Sequence, residues 1–240
     1  MRAVWRLLAA LILIGLATVG VSAGSSDGET RYGVFTLPAD KPYAIALDAE
    51  IGDTITGDFE LALAARPNAS VLLLNSPGGF VDKALIIANA VRERGMATLI
   101  PDGSGCFSAC AYIYFAGAPR HVDGQLGVHQ IDTKIHDLVF AQNMLSDVLD
   151  ALYVYGVQQT IISHMLRTPP TRMYVFTRAE IADWAINAGD PVQLAAVSVD
   201  VSAGFAANAT ASMDHGAYLD IAHVESRNEP GHALEAARNH

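Results

Sequence analysis

The chain is poor in the groups that would commit it to a charged partner or a bound metal. It has only three lysines, Lys41, Lys83 and Lys134, and its 15 Lys and Arg residues face 25 Asp and Glu for a net charge of −10. No basic cluster interrupts that acidity, and phosphate binding needs concentrated Lys and Arg, so nucleic acid is excluded as a partner. A Ser-Lys dyad has little to draw on: Lys134 is the only lysine after residue 108, and Lys83 reads as a surface charge on a helix. There are two cysteines, and His121, His136 and His164 are scattered without i,i+4 or HExxH pairing, so no metal is expected. Gly103-Ser104-Gly105 extends to neither GxGxxG nor a Walker motif, and Tyr112, Tyr114 and Phe115 follow core-like spacing, so no cofactor is expected either. Internal repeats are absent. Charged residues are 17% of the chain against 51% hydrophobic, which describes a globular protein and not a disordered one, and 240 residues suffice to bury a true core.

What is present begins at the N-terminus. Arg2 and Arg6 precede the apolar segment Leu7–Val21, and Val21-Ser22-Ala23 supplies small residues before a polar Gly/Ser stretch. That is the pattern of a signal peptide over residues 1–23, its apolar stretch short for a membrane span of roughly 20 residues. An uncleaved anchor tethering the protein to the outer face of the inner membrane is the alternative. Residues 24–42 are expected to be a linker and first strand, 43–190 the folded domain, and 191–240 a terminal strand (Val192–Val201) followed by a weakly ordered polar tail. Export would place Cys106 and Cys110 in an oxidising compartment, where they either form a short-loop disulfide or are buried as small apolar residues. The sequons at Asn68 and Asn208 matter only in a eukaryotic secretory route.

Along the chain, strand-like runs alternate with helical ones. Arg31–Leu37, Tyr43–Ile51, Ser70–Leu74, Ala97–Ile100 and Met173–Phe176 read as strands, with short extended pieces at His121–Val122 and Leu126–His129. Helical spacing covers Phe59–Arg66, Phe80–Arg94 (closed by Gly95), Cys106–Ala116 and Phe140–Met165, the last interrupted near Gly156. Thr177–Asn187 opens with a capping box, Glu180 following Thr177 by three. Alternating strands and helices imply an α/β fold.

The stretch 103–130 organises the rest. A Gly/Ser turn runs into Ser108, then an apolar run to Ala116, a Gly-Ala-Pro break, Arg120 and His129. A hydroxyl residue just before an apolar helical run is ordinarily an N-cap. Here Ser108 stands among Gly, Cys and Ala, residues that permit close backbone approach, and a second glycine turn, Asn75-Ser76-Pro77-Gly78-Gly79, closes an upstream strand. Two such turns and a following histidine are the parts of acyl-transfer chemistry: a nucleophile, a base, and backbone N–H donors at a helix N-terminus.

LLLNSPGG at 72–79, GCFSACAYIYFAGAPR at 105–120, GVHQ at 127–130 and MYVFTRAEIADWAI at 173–186, taken in that order over residues 43–190, resemble the ClpP/crotonase superfamily, and within it the proteolytic subunit of Clp protease. The resemblance implies a single α/β domain built as a repeated ββα superhelix, and a periplasmic-type exported member. It implies Ser108 as nucleophile and His129 as general base, with the N–H groups of Gly78 and Ala109, beside Gly79, as the oxyanion hole. Each such donor contributes roughly 3–4 kcal/mol to the transition state. It also implies a peptide or protein substrate, and a homo-oligomer assembled through the helix at about Phe140–Tyr155. Two departures stand out. The 21-residue separation of Ser108 and His129 is shorter than the family's, which points to a trimmed loop around Asp123-Gly124. The family's triad aspartate would fall near Met173, where no carboxylate stands; Thr171 and Asp132 are the candidates for orienting the histidine instead.

Three functions compete. The first is an exported serine peptidase. The second is a catalytically inactive descendant serving as a binding or assembly module, with Ser108 only capping a helix. The third is a crotonase-type acyl-CoA enzyme, which export and the Ser-His pair both argue against.

Overall fold

A computed structural model describes residues 29–132, 137–189 and 218–220. The expected leader over 1–23, the strand Val192–Val201 and, apart from residues 218–220, the tail from 203, and with them Asn208, Lys134 and His136, lie outside the described residues. Within them the fold is mixed α/β, with six helices and two mixed sheets.

The larger sheet carries β1 (Thr30–Tyr32), β2 (Phe35–Leu37), β3 (Ala44–Asp48), β4 (Val71–Asn75), β5 (Ala97–Ile100) and β7 (Arg120–Val122), in that order. β1 to β3 pair antiparallel, while β3, β4, β5 and β7 are parallel neighbours. The parallel strands read as unbroken apolar runs because both faces are covered. Ile45, Leu47, Leu72 and Leu74 join the main core on one face; Ala44, Ala46, Val71, Leu73, Ala97 and Leu99 pack together on the other. Burying each large side chain contributes about 1.5–3 kcal/mol, so this sheet is the rigid base on which the turns are mounted. The expected single strand over Arg31–Leu37 is instead a hairpin, β1–β2. Gly33 turns the chain with φ +56°, against the Asp58 carboxylate, which a Cβ would strike at 2.1 Å.

Helix α1 (Ile55–Ala65) starts four residues before the expected position, and α2 (Val81–Glu93) is closed by Gly95 at φ +62° as its sequence implies. The second sheet, ordered β10 (Tyr218–Asp220), β9 (Arg172–Val175), β8 (Gln125–Val128), β6 (Gly105–Phe107), has β6 and β8 parallel and its other pairs antiparallel. A bridge between Ser76 and Cys106 joins the two sheets.

The expected helix Cys106–Ala116 divides into strand β6 and a shorter helix α3 (Cys110–Ala116). Local propensity favours one apolar helix. It loses because Ser76 donates its N–H to the Gly105 carbonyl (2.7 Å) and accepts from Phe107 N–H (3.0 Å), fixing 105–107 as extended chain. α3 is wholly buried, and Arg120 clamps its end by donating to the carbonyls of Phe115, Tyr155 and Ile186. The Phe140–Met165 helical stretch forms as α4 (Leu138–Val154) and α5 (Gln159–Arg167), broken at Gly156 with φ +69°. α6 (Arg178–Asp183) has the capping box predicted for Thr177 and Glu180 but stops short of Asn187.

Candidate active site

The two strand-to-helix turns named by the sequence lie against each other. After β4 the chain turns through Pro77 into Gly78 (φ +104°) and Gly79 (φ +136°), conformations that L side chains rarely adopt. Contacts reinforce the requirement. A Cβ on Gly79 would meet the Ile51 carbonyl oxygen at 2.3 Å, and one on Gly78 would meet both Phe107 O and Ser108 Cβ at 2.7 Å. The same Cβ would stand 3.1 Å from the Ala109 nitrogen, so the glycine backbone faces the amide that follows the serine.

Ser108 joins β6 to α3 with φ +56°, a left-handed backbone that costs a non-glycine residue about 1–3 kcal/mol. The ordinary alternative for such a hydroxyl, an N-cap, does not apply: that position belongs to Ala109, and no side chain caps α3. Ser108 N–H donates to the Gly127 carbonyl at 3.1 Å, extending the β6–β8 pairing one residue past Phe107. The disulfide alternative is the one that forms: Cys106 and Cys110 are bonded across this turn, their Cα atoms 5.3 Å apart.

His129 leaves the end of β8. Because β8 runs parallel to β6 with Gly127 opposite Phe107, residues 108 and 129 emerge at the same end of the sheet. His129 Nε2 lies 2.6 Å from Ser108 Oγ. A tether that the sequence reading missed holds the base: Gln130 donates its main-chain N–H to Thr168 O (2.9 Å) and its side-chain amide to Leu166 O (2.7 Å), anchoring the chain to the end of α5. Its signal was faint, a polar residue beside the histidine.

His129 is only 8% exposed, and this burial holds its imidazole below the ordinary histidine pKa. The Asp132 charge and the nearby Pro170 carbonyl act the other way, the carbonyl falling short of a hydrogen bond, since Nδ1 has no partner among the described residues. Thus neither Thr171 nor Asp132 orients the ring through Nδ1, the role considered for both. Asp132, exposed three residues on, acts only through its charge. For Nε2 to accept the serine proton, Nδ1 must carry a hydrogen, and a buried N–H without an acceptor costs about 1–3 kcal/mol.

The proposed oxyanion donors are unequally placed. The Gly78 N–H donates to Ser76 Oγ at 3.2 Å, an engagement the sequence did not foretell although Ser76 stands inside the quoted motif. No backbone acceptor takes the N–H of Gly79 or Ala109 among the described residues. No group of three or more His, Cys, Asp or Glu side chains that could hold a metal occurs among them, and none of their helices is long and apolar enough to cross a membrane. What stands together is a hydroxyl, an imidazole and amide hydrogens at two turns, the parts required to form and hydrolyse an acyl-enzyme. Neither the known protein families nor the curated proteins contain a match to this chain.

Proposed function

We propose that this chain is an exported, periplasmic serine hydrolase of the ClpP/crotonase kind, folded as that superfamily's ββα superhelix and cleaving peptide bonds through a Ser108 acyl-enzyme. The observation that carries the reading is the 2.6 Å approach of His129 Nε2 to Ser108 Oγ, made between two parallel strands by residues 21 apart. His129 takes the hydroxyl proton as Oγ attacks the substrate carbonyl, and the oxyanion forms against the N–H groups of Ala109 and Gly78, the latter turning from Ser76 Oγ. The imidazolium then protonates the leaving amine. Water, deprotonated by the same ring, releases the acyl group and restores Ser108. The substrate is a peptide or protein. The exposed apolar residues of α4, Leu138 at 72% and Tyr153 at 84% among them, support a homo-oligomer. Residues 1–23 direct export or, in the alternative, tether the protein to the inner membrane.

That Nδ1 has no hydrogen-bond partner among the described residues favours a second reading, an inactive binding or assembly module of the same fold, because losing the triad's third member costs about 10⁴ in kcat. A fluorophosphonate probe decides between them. Labelling at Ser108, lost in Ser108→Ala and weakened in His129→Ala, supports the hydrolase; folded protein that takes no label supports the module.

A further inference from the structure

We infer that the Cys106–Cys110 disulfide is a positioning element for the nucleophile, holding Ser108 in its left-handed backbone so that Oγ stays within reach of His129. The inference rests on the hydrolase reading above. Ser108 is the middle of the three residues that the bridge encloses, and both cysteines are fully buried. One end of the bridge is fixed in β6, where Cys106 pairs with Ser76 and Leu126; the other is the first residue of the buried helix α3. Closing so short a loop between two immobile ends leaves few backbone conformations, and the observed one places φ at +56°. The segment's own preference runs against this geometry. Apolar residues from Phe107 onward favour helix, and serine is not a residue that seeks positive φ. A cross-link on either side of the strained residue opposes its relaxation into the helix, which would carry Oγ away from the imidazole. Glycine relieves the same kind of turn at 78 and 79, but a nucleophile cannot be a glycine.

The test compares wild type with Cys106→Ala/Cys110→Ala by the rate of fluorophosphonate labelling and by kcat and KM on a p-nitrophenyl ester. The expected result is folded protein whose kcat and labelling rate fall about a hundredfold with KM nearly unchanged, the pattern of a misplaced reacting group. Equal rates in the two folded proteins overturn the inference and leave the hydrolase reading intact. If the wild type takes no label, it is the hydrolase reading that fails. The positioning role is then judged by the His129 imidazole NMR resonances, which must move on loss of the bridge, and unchanged resonances overturn it. Should the double variant not fold, wild type treated with a water-soluble phosphine carries the same test. The phosphine takes an oxygen from water and becomes its oxide, while the disulfide gains two electrons and two protons to leave two thiols. Activity must fall with the appearance of two titratable thiols and return on reoxidation with oxidised glutathione. Undiminished activity at two free thiols overturns the inference.

Discussion

The turns after β4 and after β6 perform the same task by opposite means. Each takes the chain from a strand into a helix through positive φ at close backbone contact. At 78 and 79 the task falls to glycines, which adopt such angles freely and let Ile51 and Ser108 approach to distances no side chain would allow. At 108 a side chain is indispensable to the proposed chemistry, so the strained angle is held by surroundings: β6 on one side, α3 on the other, and a covalent bridge across both. Strain at a residue bearing a reactive group is a recurring mark of functional sites, whereas strain relieved by glycine marks architecture.

Substitutions at the two turns separate these accounts. The largest expected effect is on turnover: in a pair without a third member, Ser108→Ala lowers kcat by about 10² in a steady-state ester assay, down to the background, and adding His129→Ala lowers it little further, because the pair acts as a unit. Next, Gly78→Ala costs about 3 kcal/mol in denaturant unfolding, since its Cβ meets Phe107 O and Ser108 Cβ at 2.7 Å in a backbone unsuited to alanine. The comparison sharpens in the opposite direction at 108. Ser108→Gly and Ser108→Ala are equally inactive, but the glycine variant is expected to be more stable than the alanine variant by about 1 kcal/mol, read as a higher Tm. Equal stabilities would mean that the +56° angle carries no strain.

The smallest effects concern the base. Burial lowers the His129 pKa, and the reaction needs the neutral ring, so the acid limb of kcat/KM is expected below pH 6.5, with little change between pH 7 and 8. The stability dependence has the same sign. Below pH 6.5 the unfolded chain binds the proton that the folded imidazole resists, so stability from this group is full above that pH and declines as pH falls toward the folded value. Asp132→Asn removes the charge that favours the imidazolium and moves the acid limb further down. Thr171→Ala leaves the limb in place, since its hydroxyl does not reach Nδ1.

The sequence disclosed features determined by local chemistry. Gly95 closing α2, Gly156 breaking the long helical stretch and the Thr177–Glu180 capping box are all written within a few residues. The pairing of Ser108 with His129 was also legible, but through the family resemblance, to which the spacing adds only that 21 residues suffice for one helix and a return strand. What was hidden depends on partners far along the chain. Strand β6 is three residues of unremarkable composition, made extended by Ser76 and β8, so the helix was drawn too long, from Cys106 through Ser108. The hairpin at Gly33 passed as one strand because its glycine faces Asp58, 25 positions later. The lack of an Nδ1 partner among the described residues was half visible: the missing carboxylate near Met173 could be seen, but the failure of Thr171 and Asp132 to replace it is a matter of reach.

Gln130 gives the pair an unusual division of support. The hydroxyl hangs from β6 and its bridge, while the imidazole is shared between two supports: β8, which pairs with β6, and the end of α5, reached through Thr168 and Leu166. Reactivity in such an arrangement is a matter of alignment between two mounts. A nudge to α5, whose sequence carries none of the chemistry, would detune the reaction while leaving the serine where it stands.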